Sequence, residues 1–203
     1  MSLLISTWIK FFFLFAPFFV LSMFLALTRG ETPAARRHVA NKSIIAALAI
    51  SLVLMFFGGA LFDVLGITLD SFRIGAGILL FMSAISLVKD GTRNHATGMP
   101  NEERDDVSVV PLAVPTIIGP ATIGTILVYG AEFQGWELVI GVMGLVGALL
   151  TLAVLLYSSS LIEKLLGRTG LNILSKITGL ILAAMAAQIF MGGVMGFLQP
   201  ATS

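Results

Sequence analysis

The stretch Val110-Pro-Leu-Ala-Val-Pro-Thr-Ile-Ile-Gly-Pro-Ala-Thr-Ile-Gly-Thr125 decides how this chain is read. It is apolar almost throughout, yet it carries Pro111, Pro115 and Pro120 with Gly119 and Gly124. Proline donates no amide bond and its ring clashes with the preceding turn, so no regular helix runs through such a segment unbroken. In water it would read as a loop. In a bilayer it reads as a broken span, whose freed backbone groups must be met inside the protein. The rest of the chain decides between the two. Of 203 residues, 57% are hydrophobic and only 11% charged, less than half the charged share of an ordinary soluble domain. The mean hydropathy of +1.01 agrees. One soluble core cannot hide that much apolar surface, so the membrane has to solvate it.

Working outward, five other segments are apolar for the ~20 residues that a helix needs to cross hydrocarbon. They are residues 5–27, 44–66, 71–88, 137–158 and 173–197. With 107–130 they make six. Phe11–Leu27, with Lys10 in front, could pass for a signal peptide. The basic residues Arg29, Arg36 and Arg37 follow it instead, and no small-x-small cleavage pattern does, so it is read as a retained helix.

Lys and Arg fix the topology. Arg29, Arg36, Arg37 and Lys42 fall in the first connection on one side. Lys89, Arg93 and Arg104 fall in the second, and Lys164, Arg168 and Lys176 in the third. Ten of the twelve basic residues thus share a side, leaving Lys10 and Arg73 on the other. The basic side is expected to be cytoplasmic, with both termini outside and Trp8 and Trp136 at the outer interface. Without 107–130 as a span the third connection would change sides.

Lys89–Asp106 is a mixed-charge linker that divides the chain into residues 1–88 and 107–203, three spans each. The halves resemble each other. Gly77, Leu80 and Ala84 match Gly179, Leu182 and Ala186 at an offset of 102, and Ala16-Pro17 matches Gly119-Pro120 at 103. A three-span unit ends on the side opposite its start, so a second copy runs inverted. Inverted repeats with helix breaks at matching places are a mark of secondary transporters. The expected fold is therefore an all-α membrane protein of six helices in two inverted three-helix repeats, the first and fourth helices broken or kinked.

The candidate site lies at those breaks. Carbonyls released near Pro115 and Pro120 can coordinate a cation or ammonium group, and amides at a half-helix start can hold a carboxylate. Thr116, Thr122 and Thr125 add hydroxyls, or bond back to their own helix. Pro17 and Ser22 are the matching residues of the first span, among bulky Phe18, Phe19 and Leu21. Gln188, an amide deep in the sixth span, lines a cavity or bonds across helices. Asp63, Asp70 and Arg73 lie near span ends and read as interfacial anchors. Gly141, Gly144, Gly147 and Ala148, and Gly192 with Gly196, read as helix-packing faces.

Several functions are disfavoured. The spans carry almost no mid-membrane charge, which argues against a carboxylate proton relay and a strongly charged substrate. There is no nucleotide-binding motif, no catalytic constellation and no cysteine. His38 and His95 sit in polar stretches and read as loop residues. The net charge of +1 indicates no nucleic-acid partner. Neither an enzyme nor a cofactor is expected.

These residues carry a resemblance. Asp106-Val-Ser-Val-Val-Pro-Leu-Ala-Val-Pro-Thr-Ile-Ile-Gly-Pro-Ala-Thr-Ile123 is similar to the fourth-span signature PLAxPxxxGPG of the MarC family, which includes the SnatA small-neutral-amino-acid transporters. Phe72–Phe81 and Thr178–Leu182 resemble its third and sixth spans. Two departures stand out. The family's first span reads Asn or Asp, Pro, x, Gly, x, x, Pro, x, Phe. Here Pro17 and Phe24 are kept, while Ala16, Phe19 and Ser22 replace the polar residue, the glycine and the second proline. Ala121 replaces the last glycine of the fourth-span motif. The resemblance implies a bacterial inner-membrane transporter of small neutral amino acids, coupled to Na⁺ or H⁺. Pro17, Ser22, Pro115, Thr116, Gly119, Pro120, Ala121, Thr122, Thr125 and Gln188 would then form the substrate and ion site. The alternatives are a membrane scaffold that kept the fold and lost the site, and a passive channel for small solutes.

Overall fold

The computed structural model describes residues 2–90 and 112–198. All regular structure among them is helical. The elements are α1 (Ser2–Leu14), α2 (Pro17–Leu27), α3 (Pro33–Leu65) and α4 (Leu69–Asp90). A π-helical turn (Leu112–Ile117) then leads into α5 (Pro120–Glu132), α6 (Trp136–Tyr157) and α7 (Ser159–Leu198). Four helices are long and apolar enough to cross a bilayer, and five if α1 and α2, bent by 41°, form one span. Apart from Lys89 and Asp90, the expected linker lies outside the described residues.

Apolar side chains line both the inside and the outside. Phe11, Phe15, Phe24, Met55, Ile117, Ile126 and Leu149 are fully buried in one core. Val64, Leu165 and Leu198 are 84%, 75% and 71% exposed. In water such a surface would drive association, whereas in hydrocarbon it is already solvated.

Three expectations need correction. The third basic connection is helical, because α7 carries Lys164, Arg168 and Lys176 and departs from helical conformation only at Gly167. The first basic connection is not a loop throughout, because α3 begins at Pro33 and runs 33 residues. The Thr32 hydroxyl accepts the Ala35 amide at 3.2 Å, and Pro33 sits where a helix start has no use for an amide donor. The helix therefore extends well past the membrane-spanning length on its basic side. Trp8 is also not an interfacial anchor. Its indole donates to Thr151 Oγ1 at 3.2 Å, inside apolar α6, and packs over Gly147. The missing side chain at Gly147 leaves room for the ring. Trp136, by contrast, is 75% exposed, as an anchor should be.

Close helix approaches hold the bundle together. At Gly58 an added Cβ would stand 2.8 Å from the Leu127 carbonyl, and at Gly130 it would collide with that of Met55, so α3 and α5 cross backbone to backbone. Gly144 lies against Thr7 of α1, and Gly141 against Phe133. Gly193 and Gly196 receive Asp70 of α4, while Gly192, expected to share that face, meets nothing within 4 Å. Arg73 ties α4 to α5. Its Nε and Nη2 reach Glu132 at 2.9 and 2.7 Å, and its Nη1 reaches Asp70 at 2.7 Å.

Candidate functional site

Two helix breaks organise the interior. In the first, the Ala16 amide bonds the Phe13 carbonyl at 2.9 Å, closing α1 tightly. Ala16 itself is left-handed, at φ 45° and ψ 60°, and Pro17 starts α2. A left-handed conformation costs a non-glycine residue ~1–2 kcal/mol, least for Asn and Asp. The polar residue that the family's first span carries there would relieve this strain, and Ala16 does not. In the second break the chain passes from the π-helical turn through extended Gly119, at φ −84° and ψ 172°, to Pro120 at the first position of α5. A widened turn is one way to accommodate proline. Each half-helix thus starts on a proline, for the same reason that α3 does.

The breaks are close in the fold. α2 packs on the π-helical turn. Phe15, Ala16, Val20, Ile117, Ile118 and Ala121 belong to the same buried core.

The candidate residues divide between these breaks and other places. Pro17 is buried at the first break. Pro115 lies within the π-helical turn, where Thr116 is half-buried. Gly119 precedes α5, Pro120 is exposed, and Ala121 and Thr122 are each only 6% exposed. Thr125 is fully buried and bonds back to the Ala121 carbonyl at 2.9 Å, the helix-internal alternative anticipated for it. Thr122 makes no side-chain hydrogen bond among the described residues, so its hydroxyl stays available at the break. Ser22 lines a cavity of about 710 Å³ on the basic side of the molecule. Gln188 is exposed on α7.

That cavity joins residues that the sequence presented only as topological charges. Arg29, Arg36, Glu163, Arg168 and Asn172 line it with Ser22. Charge counting put these arginines on one side of the membrane, but their convergence depends on how α2, α3 and α7 pack. The sequence signal for it is slight: Gly167, at φ 63° and ψ 179°, breaks α7 directly before Arg168.

Among the described residues no group of three or more His, Cys, Asp or Glu could hold a metal ion. A bundle of long apolar helices around broken ones, with polar groups at the breaks, defines a multi-pass integral membrane protein. Residues 1–198 match the MarC family integral membrane proteins. The UPF0056 membrane protein YvbG of Bacillus subtilis is 31% identical, covering 100% of this chain and 99% of its own. The UPF0056 inner membrane protein YhgN of Escherichia coli K12 is 30% identical over 88% of this chain and 89% of its own. The UPF0056 membrane protein MJ1677 of Methanocaldococcus jannaschii is 33% identical over 90% and 91%. No solved structure matches. The chain belongs to the MarC family.

Proposed function

We propose that this chain is a secondary transporter of small neutral amino acids, of the glycine or alanine type, driven by Na⁺ or H⁺. The observation that carries this reading is the pair of breaks at Ala16-Pro17 and Gly119-Pro120, each opening a half-helix on proline. Helix ends in hydrocarbon need partners for their orphan amides and carbonyls, and a zwitterion supplies both kinds. Gly119, Ala121 and Thr122 offer little side-chain bulk and one available hydroxyl, which suits a small polar solute. In this reading residues 107–130 complete a sixth span, the two halves are inverted copies, and the basic side is cytoplasmic.

The helix pairing supports the repeat. α4 packs on α7 and α3 on α6, so third span meets third and second meets second. α2 packs on α7 as α5 packs on α4.

Counterflow of labelled glycine and alanine in proteoliposomes, with and without a Na⁺ or pH gradient, tests the proposal. Saturable, gradient-dependent exchange is expected. Unsaturable flux would favour the channel. No flux and no thermal stabilisation by any small neutral solute would sink transport. That last result would favour the scaffold, for which the closed packing of Pro17, Ala121 and Thr122 already speaks.

A further inference from the structure

We propose that the basic cavity beside α2 is a binding site for a phosphate oxyanion, presented by the headgroup of an anionic membrane lipid. The cavity of about 710 Å³ carries three guanidinium groups, Arg29, Arg36 and Arg168, against the single carboxylate of Glu163 among its described lining residues. That carboxylate makes no ion pair within 4 Å among the described residues; both such pairs belong to Arg73. Uncompensated like charges at one site repel, and an anion placed between them removes the cost.

Arg36 gives a second indication. It also lines a second cavity, of about 260 Å³. One terminal nitrogen donates to Ser160 Oγ at 3.3 Å, while its Nε is buried with no acceptor. The side chain as a whole is only half-buried, but a buried donor atom without a partner is costly, and an oxyanion would satisfy it. The break at Gly167 adds a third: Arg168 and Thr169, at the start of the long second part of α7, lie on the cavity wall. First-turn amides and the helix dipole there favour an anion.

The surroundings point to a lipid as the source. Met23, Leu25 and Leu171 line the same cavity. Just before the break, Leu161, Leu165 and Leu166 are exposed on α7. Acyl chains can lie on these leucines while the phosphate sits among the arginines. Basic pockets between spanning helices on the cytoplasmic side are where anionic headgroups bind. The inference is independent of whether the chain transports anything.

The test is a thermal-shift titration of the full chain in neutral detergent, with native mass spectrometry in parallel. The probes are phosphatidylglycerol, phosphatidylcholine and inorganic phosphate. Phosphatidylglycerol is expected to raise the melting temperature and to remain bound as an adduct, and phosphatidylcholine to do neither. Apparent affinity should fall about fivefold for Arg36→Gln and again for Arg168→Gln. An equal shift by inorganic phosphate alone would uphold the oxyanion site and overturn the lipid source. Equal binding of phosphatidylglycerol and phosphatidylcholine, or affinities unchanged in both variants, would overturn the site. Should the variants fail to fold, raising salt from 50 to 500 mM on the unaltered chain decides it. Phosphatidylglycerol adducts that survive undiminished would show that charge does not hold them.

Discussion

Gly77 of α4 lies against Phe190 of α7, where an added Cβ would stand 2.8 Å from the Phe190 Cβ and amide nitrogen. The contact has a counterpart. On the other helix Gly179 lies against Val88, whose Cγ2 would be 2.9 Å from an added Cβ. The offset of 102 that carries Gly77 onto Gly179 also carries Val88 onto Phe190. One interface thus pairs the two equivalent positions twice with the helices exchanged, the pattern that the proposed two-fold relation between the halves would give. Gly77→Val and Gly179→Val should therefore destabilise alike, each by ~1–3 kcal/mol of overpacking. Melting curves in detergent check this. Gly192→Val is the control, since nothing stands within 4 Å of that glycine. Valine is the better helix former, so an equal loss there would show that close packing at Gly77 and Gly179 is not the cause.

Ala16 holds the one left-handed non-glycine conformation among the described residues. Replacing it by glycine removes the Cβ clash but loosens the unfolded chain, leaving a net gain of about 0.5–1 kcal/mol. Ala16→Asn should gain similarly, because asparagine tolerates this region and can bond locally. Ala16→Val should lose stability, since a β-branched side chain is still less compatible with positive φ. A melting temperature that falls in all three variants would mean that the break is not strained.

How much of this was legible in the sequence depended on the kind of signal. Proline and glycine act locally, so the breaks at Pro17 and Pro120 could be read from a few residues. Long apolar runs gave α4, α6 and most of α3 for the same reason. What escaped was either a local balance or a long-range meeting. The polar segment after Thr32 is helical because a cap and Pro33 outweigh its hydrophilic composition. Trp8 is drawn inside by Gly147, 139 positions away. Neither the convergence of Arg29, Arg36 and Arg168 on one cavity nor the outward position of Gln188 has a signature in any single window.

The two threonines of α5 should separate function from stability. Thr122→Val exchanges a hydroxyl that makes no bond among the described residues for a methyl of equal shape. Stability should change by less than about 0.5 kcal/mol, while transport falls tenfold or more. Thr125→Val removes the bond to the Ala121 carbonyl. It should cost about 0.5–1 kcal/mol and leave transport nearly intact. Paired melting curves and counterflow assays read both effects. The reverse pattern would move the working hydroxyl to Thr125.

Topology can be tested directly, because the chain has no cysteine and single-cysteine variants report without background. Thr32, Thr68, Gln134 and Ser160 are exposed at helix junctions. If residues 107–130 complete a span, Thr32→Cys and Ser160→Cys share a side with the basic connections. They should resist a membrane-impermeant maleimide in intact cells and label after permeabilisation. Thr68→Cys and Gln134→Cys should label from outside in intact cells. The informative pair is Thr32→Cys and Ser160→Cys, since the segment through Pro120 lies between them. The Arg36–Ser160 bond sets both at one end of the bundle, so opposite behaviour would overturn that packing and make the segment a re-entrant loop. Only the half-helix start at Pro120 would then be left at membrane depth, and the inverted repeat would fail with the sixth span.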